Sequence, residues 1–160
     1  MEYQIVDNFL EEQEFLKIKN VMLSDNFPWH YSNGVSEKNS MDGFYFTHNF
    51  FSDLTITSNK YFLLLPIFKK LNLKSIIRAK SNLYTRTEKI FEHELHTDYE
   101  YNHKGFIFYI NTNNGFTKLK NGEKIESIEN RGLFFNPSLE HNSSTCTDQH
   151  IRVNIIFNYF

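Results

Sequence analysis

The sequence predicts a mainly β chain with flanking N-terminal helices, closed as a sandwich or barrel of the jelly-roll kind. Three observations lead there. Two runs before residue 72 carry apolar residues at helical spacing, and nearly everything after Leu73 falls into short, aromatic and β-branched runs. Asn/Gly turn signals separate those later runs, as in all-β sandwiches and barrels. The length, 160 residues, fits one domain over 1–160: a helix-and-loop part over 1–72 and a jelly-roll core from about 73 to 160. With 40% hydrophobic and 17% aromatic residues the chain can bury a sizeable core, which excludes disorder.

Tyr3 to Val6 reads as a short strand, stopped by Asp7-Asn8. Phe9 to Leu23 reads as a helix, with Glu11, Glu12 and Glu14 near its start, where the helix dipole favours negative charge. Asp25 to Ser40 collects Pro28, Asn33-Gly34 and Ser/Asn residues, a loop with room for one short strand. Phe44 to Phe51 is aromatic and extended. Thr57 to Leu71 reads as a second helix that Pro66 kinks or breaks. Strands are expected at Ser75–Thr85, Ile90–Leu95, Gly105–Asn111, Phe116–Lys120, Gly132–Asn136 and Ile151–Phe160, with turns at Asn113-Asn114-Gly115 and Asn121-Gly122. The helices are expected on the outside of one sheet.

Charge and cysteine content narrow the function. Seventeen Lys and Arg oppose 19 Asp and Glu, a net charge of −2, so a global electrostatic grip on nucleic acid or an anionic membrane is not indicated. Cys146 is the single cysteine, which rules out an intrachain disulfide and a multi-cysteine zinc site. No apolar run approaches the ~20 residues of a membrane span, and the residues from Met1 lack the basic and apolar regions of a secretory signal. A cytoplasmic setting is expected.

Chemistry concentrates at His93-Glu94-Leu95-His96-Thr97-Asp98. Two histidines three apart in β-like sequence do not fit the helical zinc-protease arrangement, which needs a spacing of four. His96 and Asp98 do fit a metal: in an extended segment residues two apart share a face. A third ligand must come from elsewhere. His141, just past the strand ending at Asn136 and Pro137, is the best candidate, with His150 as its rival. Two histidines and a carboxylate with open positions form the facial triad of non-haem Fe(II) oxygenases. Eleven residues after His141 stands Arg152, in the apolar run Ile151–Phe157. A guanidinium there needs a carboxylate, from another strand or from a ligand.

The order His96-x-Asp98, His141, Arg152 resembles the Fe(II)- and 2-oxoglutarate-dependent dioxygenase superfamily, in its compact prolyl-hydroxylase-like branch of small bacterial and phage type. The similarity covers roughly residues 75 to 160. Tyr109-Ile110-Asn111 followed by Gly115-Phe116-Thr117 resembles the hairpin after the His-x-Asp loop, with Phe116 where many relatives carry a second glycine. Arg131-Gly132-Leu133-Phe134-Phe135 resembles the strand leading to the second histidine. Asn82-Leu83-Tyr84 and Arg152-Val153-Asn154 resemble the pairs that bind 2-oxoglutarate in some branches. The resemblance implies Fe(II) on His96, Asp98 and His141, and 2-oxoglutarate anchored by Arg152 with Asn82, Tyr84 and Asn154 beside it. O2 is implied as second cosubstrate, and C–H hydroxylation of a peptidyl (prolyl-like) or small-molecule substrate as the reaction. Substrate contacts are expected from the loop Asn26–Asp42 and the strand-connecting turns, with Trp29, Tyr31 and Phe44 exposed there. His93 is expected to face away from His96, and His30, His48 and His103 to be ordinary loop or sheet residues. Two other readings stand beside this one: a cupin-type metal-binding jelly roll without 2-oxoglutarate, and a non-catalytic β-sandwich binding module.

Overall fold

A computed structural model describes residues 3–36 and 40–160. The sequence features at Met1 and Glu2, and the part of the expected substrate loop at 37–39, lie outside the described residues. The elements are β1 (Tyr3–Val6), α1 (Glu12–Met22), β2 (His30–Asn33), β3 (Phe44–Ser52), β4 (Thr55–Ile56), a 3-10 turn (Tyr61–Leu64), α2 (Leu65–Leu71), β5 (Ile76–Thr85), β6 (Lys104–Tyr109), β7 (Asn113–Leu119), β8 (Lys124–Ser127), β9 (Gly132–Phe135), β10 (His141–Ser143) and β11 (Ile151–Tyr159).

A large antiparallel sheet runs β1-β9-β6-β11-β5-β3-β2, with β4 hairpinned onto β3, and faces a small sheet β10-β7-β8. Two facing antiparallel sheets built from short strands form the expected jelly roll. Strands from before residue 72 complete the same large sheet as those after it.

Period-two alternation decides what each face of the large sheet does. On β11, Val153, Ile155, Phe157 and Tyr159 join Phe106, Phe108, Ala79 and Leu83 in one core cluster. Phe15, Ile18 and Met22 of α1, spaced three and four apart, cover that face with Leu64 and Ile67. The alternate residues Arg152, Asn154, Ile156 and Asn158 pair with Tyr84, Asn82, Lys80 and Arg78 of β5 and face the small sheet. Part of that interlayer space is apolar, filled by Ile107, Tyr109, Leu119, Ile125, Leu133 and Phe135. The rest is polar and contains the candidate site.

Several expected elements differ. α1 begins at Glu12 because Phe9 and Leu10 are buried outside it, where the Asn130 side chain bonds both the N–H and the C=O of Leu10 at 2.9 Å. Only Leu65–Leu71 of the second helix is α-helical, with Pro66 in its first turn, where the missing N–H costs nothing. Ile90–Leu95 is no strand: it carries a single bridge, Glu92 to Ser144, and the next, His96 to His141, lies just beyond it. Asn113-Asn114-Gly115 is no turn but the start of β7, bulged opposite β8. Asn121-Gly122 does turn, with Gly122 at φ 88°. β8 and β10 were not foreseen, since both are too short for a pattern to show. No helix among the described residues is long and apolar enough to cross a membrane.

Candidate metal centre and its cavity

The two halves of the triad come from segments 43 residues apart in sequence, joined by backbone. His96 and His141 exchange both N–H···O=C bonds at 3.0 Å, so their rings leave neighbouring positions with centroids 4.7 Å apart. The N–H of Asp98 donates to the carbonyl of Pro137 at 3.0 Å, folding the carboxylate back toward the imidazoles. One ligand atom from each of His96, Asp98 and His141 lies within 4.8 Å of the others. The donor set suits a divalent transition metal.

The imidazoles are oriented for this. Nδ1 of His141 lies 2.9 Å from the carbonyl of Leu139, and Nδ1 of His96 lies 3.4 Å from that of Glu94. Each Nδ1 then carries the proton, which leaves Nε2 with a free lone pair. Burial, reinforced by the neighbouring His141, pushes His96 down to about 4, so it is neutral and ready to ligate at pH 7.

Asp98 sits in a closed ring of hydrogen bonds. Arg78 donates through Nη2 to its Oδ1 at 2.7 Å, and Asn158 donates through Nδ2 to its Oδ2 at 2.8 Å. Arg78 Nε also donates to Asn158 Oδ1 at 3.1 Å. His103 adds an outer support: Nδ1 lies 2.8 Å from the carbonyl of Tyr101, and Nε2 lies 3.0 Å from Asn158 Nδ2. Burial alone would raise the Asp98 carboxyl, but Arg78, then His141 and the Asn158 bond, hold it down at about 2. Sequence reasoning missed Arg78, Asn158 and His103. The available signal was alternation: Arg78 shares a face with Asn82 and Tyr84, and Asn158 with Arg152 and Asn154.

Arg152 is fully buried. Its Nε donates to Ser127 Oγ at 2.8 Å, Nη2 to Thr117 Oγ1 at 3.2 Å and Nη1 to the Ser144 carbonyl at 3.4 Å. Its guanidinium carbon lies 5.2 Å from the Tyr84 ring centroid and 5.9 Å from that of Tyr109. Among the described residues no carboxylate lies within ion-pair distance of it. The protein carboxylate that could have paired with Arg152 is therefore absent from this set. A buried cation with neutral partners only is costly, and an anion brought beside it would offset that cost. Gly115 makes room for it: a Cβ there would stand 2.5 Å from Arg152 Cδ and 2.7 Å from the Thr145 carbonyl.

Asn82 and Asn154 pair across β5 and β11, Nδ2 to Oδ1 at 3.1 Å. Tyr84 stacks on Tyr45 at 5.6 Å, and burial pushes its hydroxyl up to about 12. Asn82, Tyr84 and Asn154 line an inner cavity of about 50 Å³ together with the triad and Thr117. Asn82 Oδ1 and, on the same wall, Asn142 Oδ1 are buried acceptors with no partner among the described residues. Such acceptors favour a polar occupant. A larger mouth, about 390 Å³, adjoins the inner cavity and shares Val35, Tyr45, Arg78, Lys80, His96 and Asp98 with it.

His150 is exposed and away from the triad's cavity. The His93 ring does not face away from the site but packs at 5.2 Å on Tyr84, with Nδ1 2.9 Å from Ser143 Oγ, because Ile90–Leu95 lacks strand alternation. Trp29 is partly buried against Phe27 and the helical core, so it is not an exposed substrate contact. Tyr31, 63% exposed, does line the mouth, and Phe44 packs beside it at 5.9 Å. His48 is buried on the helix-covered face, bonded to Pro28 and Ser58.

No protein-family model and no curated protein matches this chain. Solved structures do. A collagen prolyl hydroxylase of Paramecium bursaria Chlorella virus-1, in complex with 2-oxoglutarate, superposes with a TM-score of 0.65 at 11% identity over 99% of this chain and 95% of that one. A prolyl-4-hydroxylase of Pseudomonas putida gives 0.62 at 12% identity over 99% and 92%. A Trichoplax adhaerens prolyl hydroxylase, in complex with a peptide of a hypoxia-inducible factor, gives 0.68 at 13% identity over 99% and 83%. The chain has the jelly-roll fold of the 2-oxoglutarate- and Fe(II)-dependent oxygenases.

Proposed function

We propose that this protein is an Fe(II)- and 2-oxoglutarate-dependent oxygenase that hydroxylates a C–H bond, with succinate and CO2 as co-products. The observation that carries the reading is Arg152: a guanidinium buried with no acid partner among the described residues, touching Tyr84 and Thr117, which line the same cavity as the three converging metal-ligand side chains. A metal-binding cupin without 2-oxoglutarate has no use for that charge, and a binding module has no use for either feature.

In this reading Nε2 of His96, Nε2 of His141 and a carboxylate oxygen of Asp98 hold Fe(II). Arg78 and Asn158 fix the carboxylate, and the Leu139 and Glu94 carbonyls fix the rings. Arg152 neutralises the distal carboxylate of 2-oxoglutarate in a low-dielectric pocket, which orients the keto acid. Thr117 and Tyr84 touch Arg152 and line the cavity, so they form the wall of that pocket. Asn82 and Asn154 lie between it and the triad. Fe(II), 2-oxoglutarate and O2, when bound, supply the oxidising chemistry. The prolyl hydroxylases among the similar folds make a peptidyl prolyl-like residue one candidate substrate, and a small molecule the other.

The test is metal analysis followed by succinate measurement with O2, Fe(II) and 2-oxoglutarate. The wild type should bind one metal per chain and release succinate, and Asp98→Ala should do neither. Metal binding without 2-oxoglutarate binding would favour the cupin reading, and no metal binding the module.

A further inference from the structure

One cation beside the triad has no part in the reading above. Lys80 stands on β5 between Arg78 and Asn82 and pairs across the sheet with Ile156. Strand alternation puts its side chain on the site face, and it lines both the inner cavity and the mouth. Its Nζ donates to Tyr45 Oη at 3.0 Å. No carboxylate among the described residues lies within ion-pair distance of it. Asp98, on the same cavity wall, is already bonded to Arg78 and Asn158. An ammonium has three donors, and the described residues take one of them. Its only other contact with a charge-seeking group is the Tyr45 ring, 5.2 Å away among the described residues, and Ile156 opposite is apolar. Burial and repulsion from Arg78 push the amine down to about 7, the behaviour of a lysine short of an anionic partner.

We propose that Lys80 receives a carboxylate on the mouth side of the triad, so that a ligand acid group is held next to the reacting position. The proposal rests on the oxygenase reading and adds a substrate class to it. Two ligands could bring that group: a small organic or amino acid acting as primary substrate, or the metal-proximal 1-carboxylate of the keto acid. Lys80 lines both spaces, and the mouth is the one with room for a second ligand beside the keto acid, so the substrate is the expected source. The mouth, at about 390 Å³, is of small-molecule size.

Lys80→Met, with Lys80→Arg to retain the charge, separates the cases by calorimetry on the Mn(II)-loaded chain. The probes are 2-oxoglutarate, 2-oxopentanoate (which keeps the 1-carboxylate and lacks the distal one), and free amino acids with their amides added after 2-oxoglutarate. We expect an amino acid to bind at least about tenfold tighter than its amide, and Lys80→Met to abolish that preference. Lys80→Arg should keep it, and both keto acids should stay within about twofold. An equal, roughly tenfold weakening of both keto acids in Lys80→Met would assign the carboxylate to the cosubstrate instead. Affinities that all stay within twofold in Lys80→Met, or acids and amides that bind alike with keto acids unchanged, would overturn the proposal. Should the wild type bind Mn(II) but not 2-oxoglutarate, the oxygenase reading fails, and Lys80→Met is judged with the same acids on the Mn(II)-loaded protein.

Discussion

Arg152→Met gives opposite signs for a structural and a ligand-binding guanidinium. In the ligand-free protein the side chain makes three hydrogen bonds to neutral groups, of which only the 2.8 Å bond to Ser127 is short. Together with the Tyr84 and Tyr109 rings these are worth roughly 3–5 kcal/mol. Against them stands the desolvation of an unpaired ion, several kcal/mol in its own right. The two nearly cancel, so methionine, which fills similar space, should change unfolding free energy by less than about 2 kcal/mol. A guanidinium that served mainly to hold the sheets together would cost about 3–5 kcal/mol on removal. The ligand response differs more. At a 2-oxoglutarate concentration of 100 Kd the Mn(II)-loaded wild type gains about 2.7 kcal/mol. For a chain of 160 residues that is roughly 5–10 °C in Tm. Losing the partner of a buried carboxylate costs about 2–5 kcal/mol of affinity, so the gain in Arg152→Met should fall below about 1 kcal/mol. Urea denaturation without ligand and thermal melts with Mn(II) and 2-oxoglutarate read both quantities. A ligand-free loss above about 3 kcal/mol, or an undiminished 2-oxoglutarate shift, would refute the assignment.

Gly115→Ala should act on the same pocket from behind. The added methyl meets Arg152 Cδ and the Thr145 backbone, so a loss of about 1–3 kcal/mol and a weaker 2-oxoglutarate shift are expected in the same melts. Arg78→Leu removes one of the two donors that hold Asp98, and Mn(II) affinity, read by paramagnetic resonance, should fall about 10–100-fold with the fold intact. Metal-free stability should decline as pH falls from about 6.5 toward 4. Burial holds both His93 and His96 down at about 4 in the folded chain, so the unfolded chain takes up more protons across that window. His93→Gln should remove about one proton from the slope, close to 1.4 kcal/mol per pH unit, and an unchanged urea-midpoint profile would refute that account.

The legible parts of the site were those with a local signature. His96 and Asp98 are two apart in an extended segment, and Arg152 is a charge inside an apolar run, so sequence alone marked both. His141 stood only as the best candidate for the third ligand, with His150 as its rival, because β10 is three residues long and its pairing with the His96 segment is a contact across 45 positions. Arg78, Asn158 and His103 carry no motif. Cross-strand register between β5 and β11 brings Arg78 and Asn158 around the Asp98 carboxylate, and His103, just before β6, reaches it through Asn158.

By itself the sequence determined the class of fold, the helix-covered face, and the residue types able to hold a metal and an acid. Periodicity and residue chemistry are properties of neighbours along the chain, so they can be read there. The tertiary structure alone decided that Arg152 meets no acid among the described residues, that Ile90–Leu95 is not a strand, that Asp98 is gripped from two strands, and that Lys80 stands at the mouth. Each depends on which distant segments are brought into hydrogen-bonding register, and a linear pattern does not encode register between strands of unknown order.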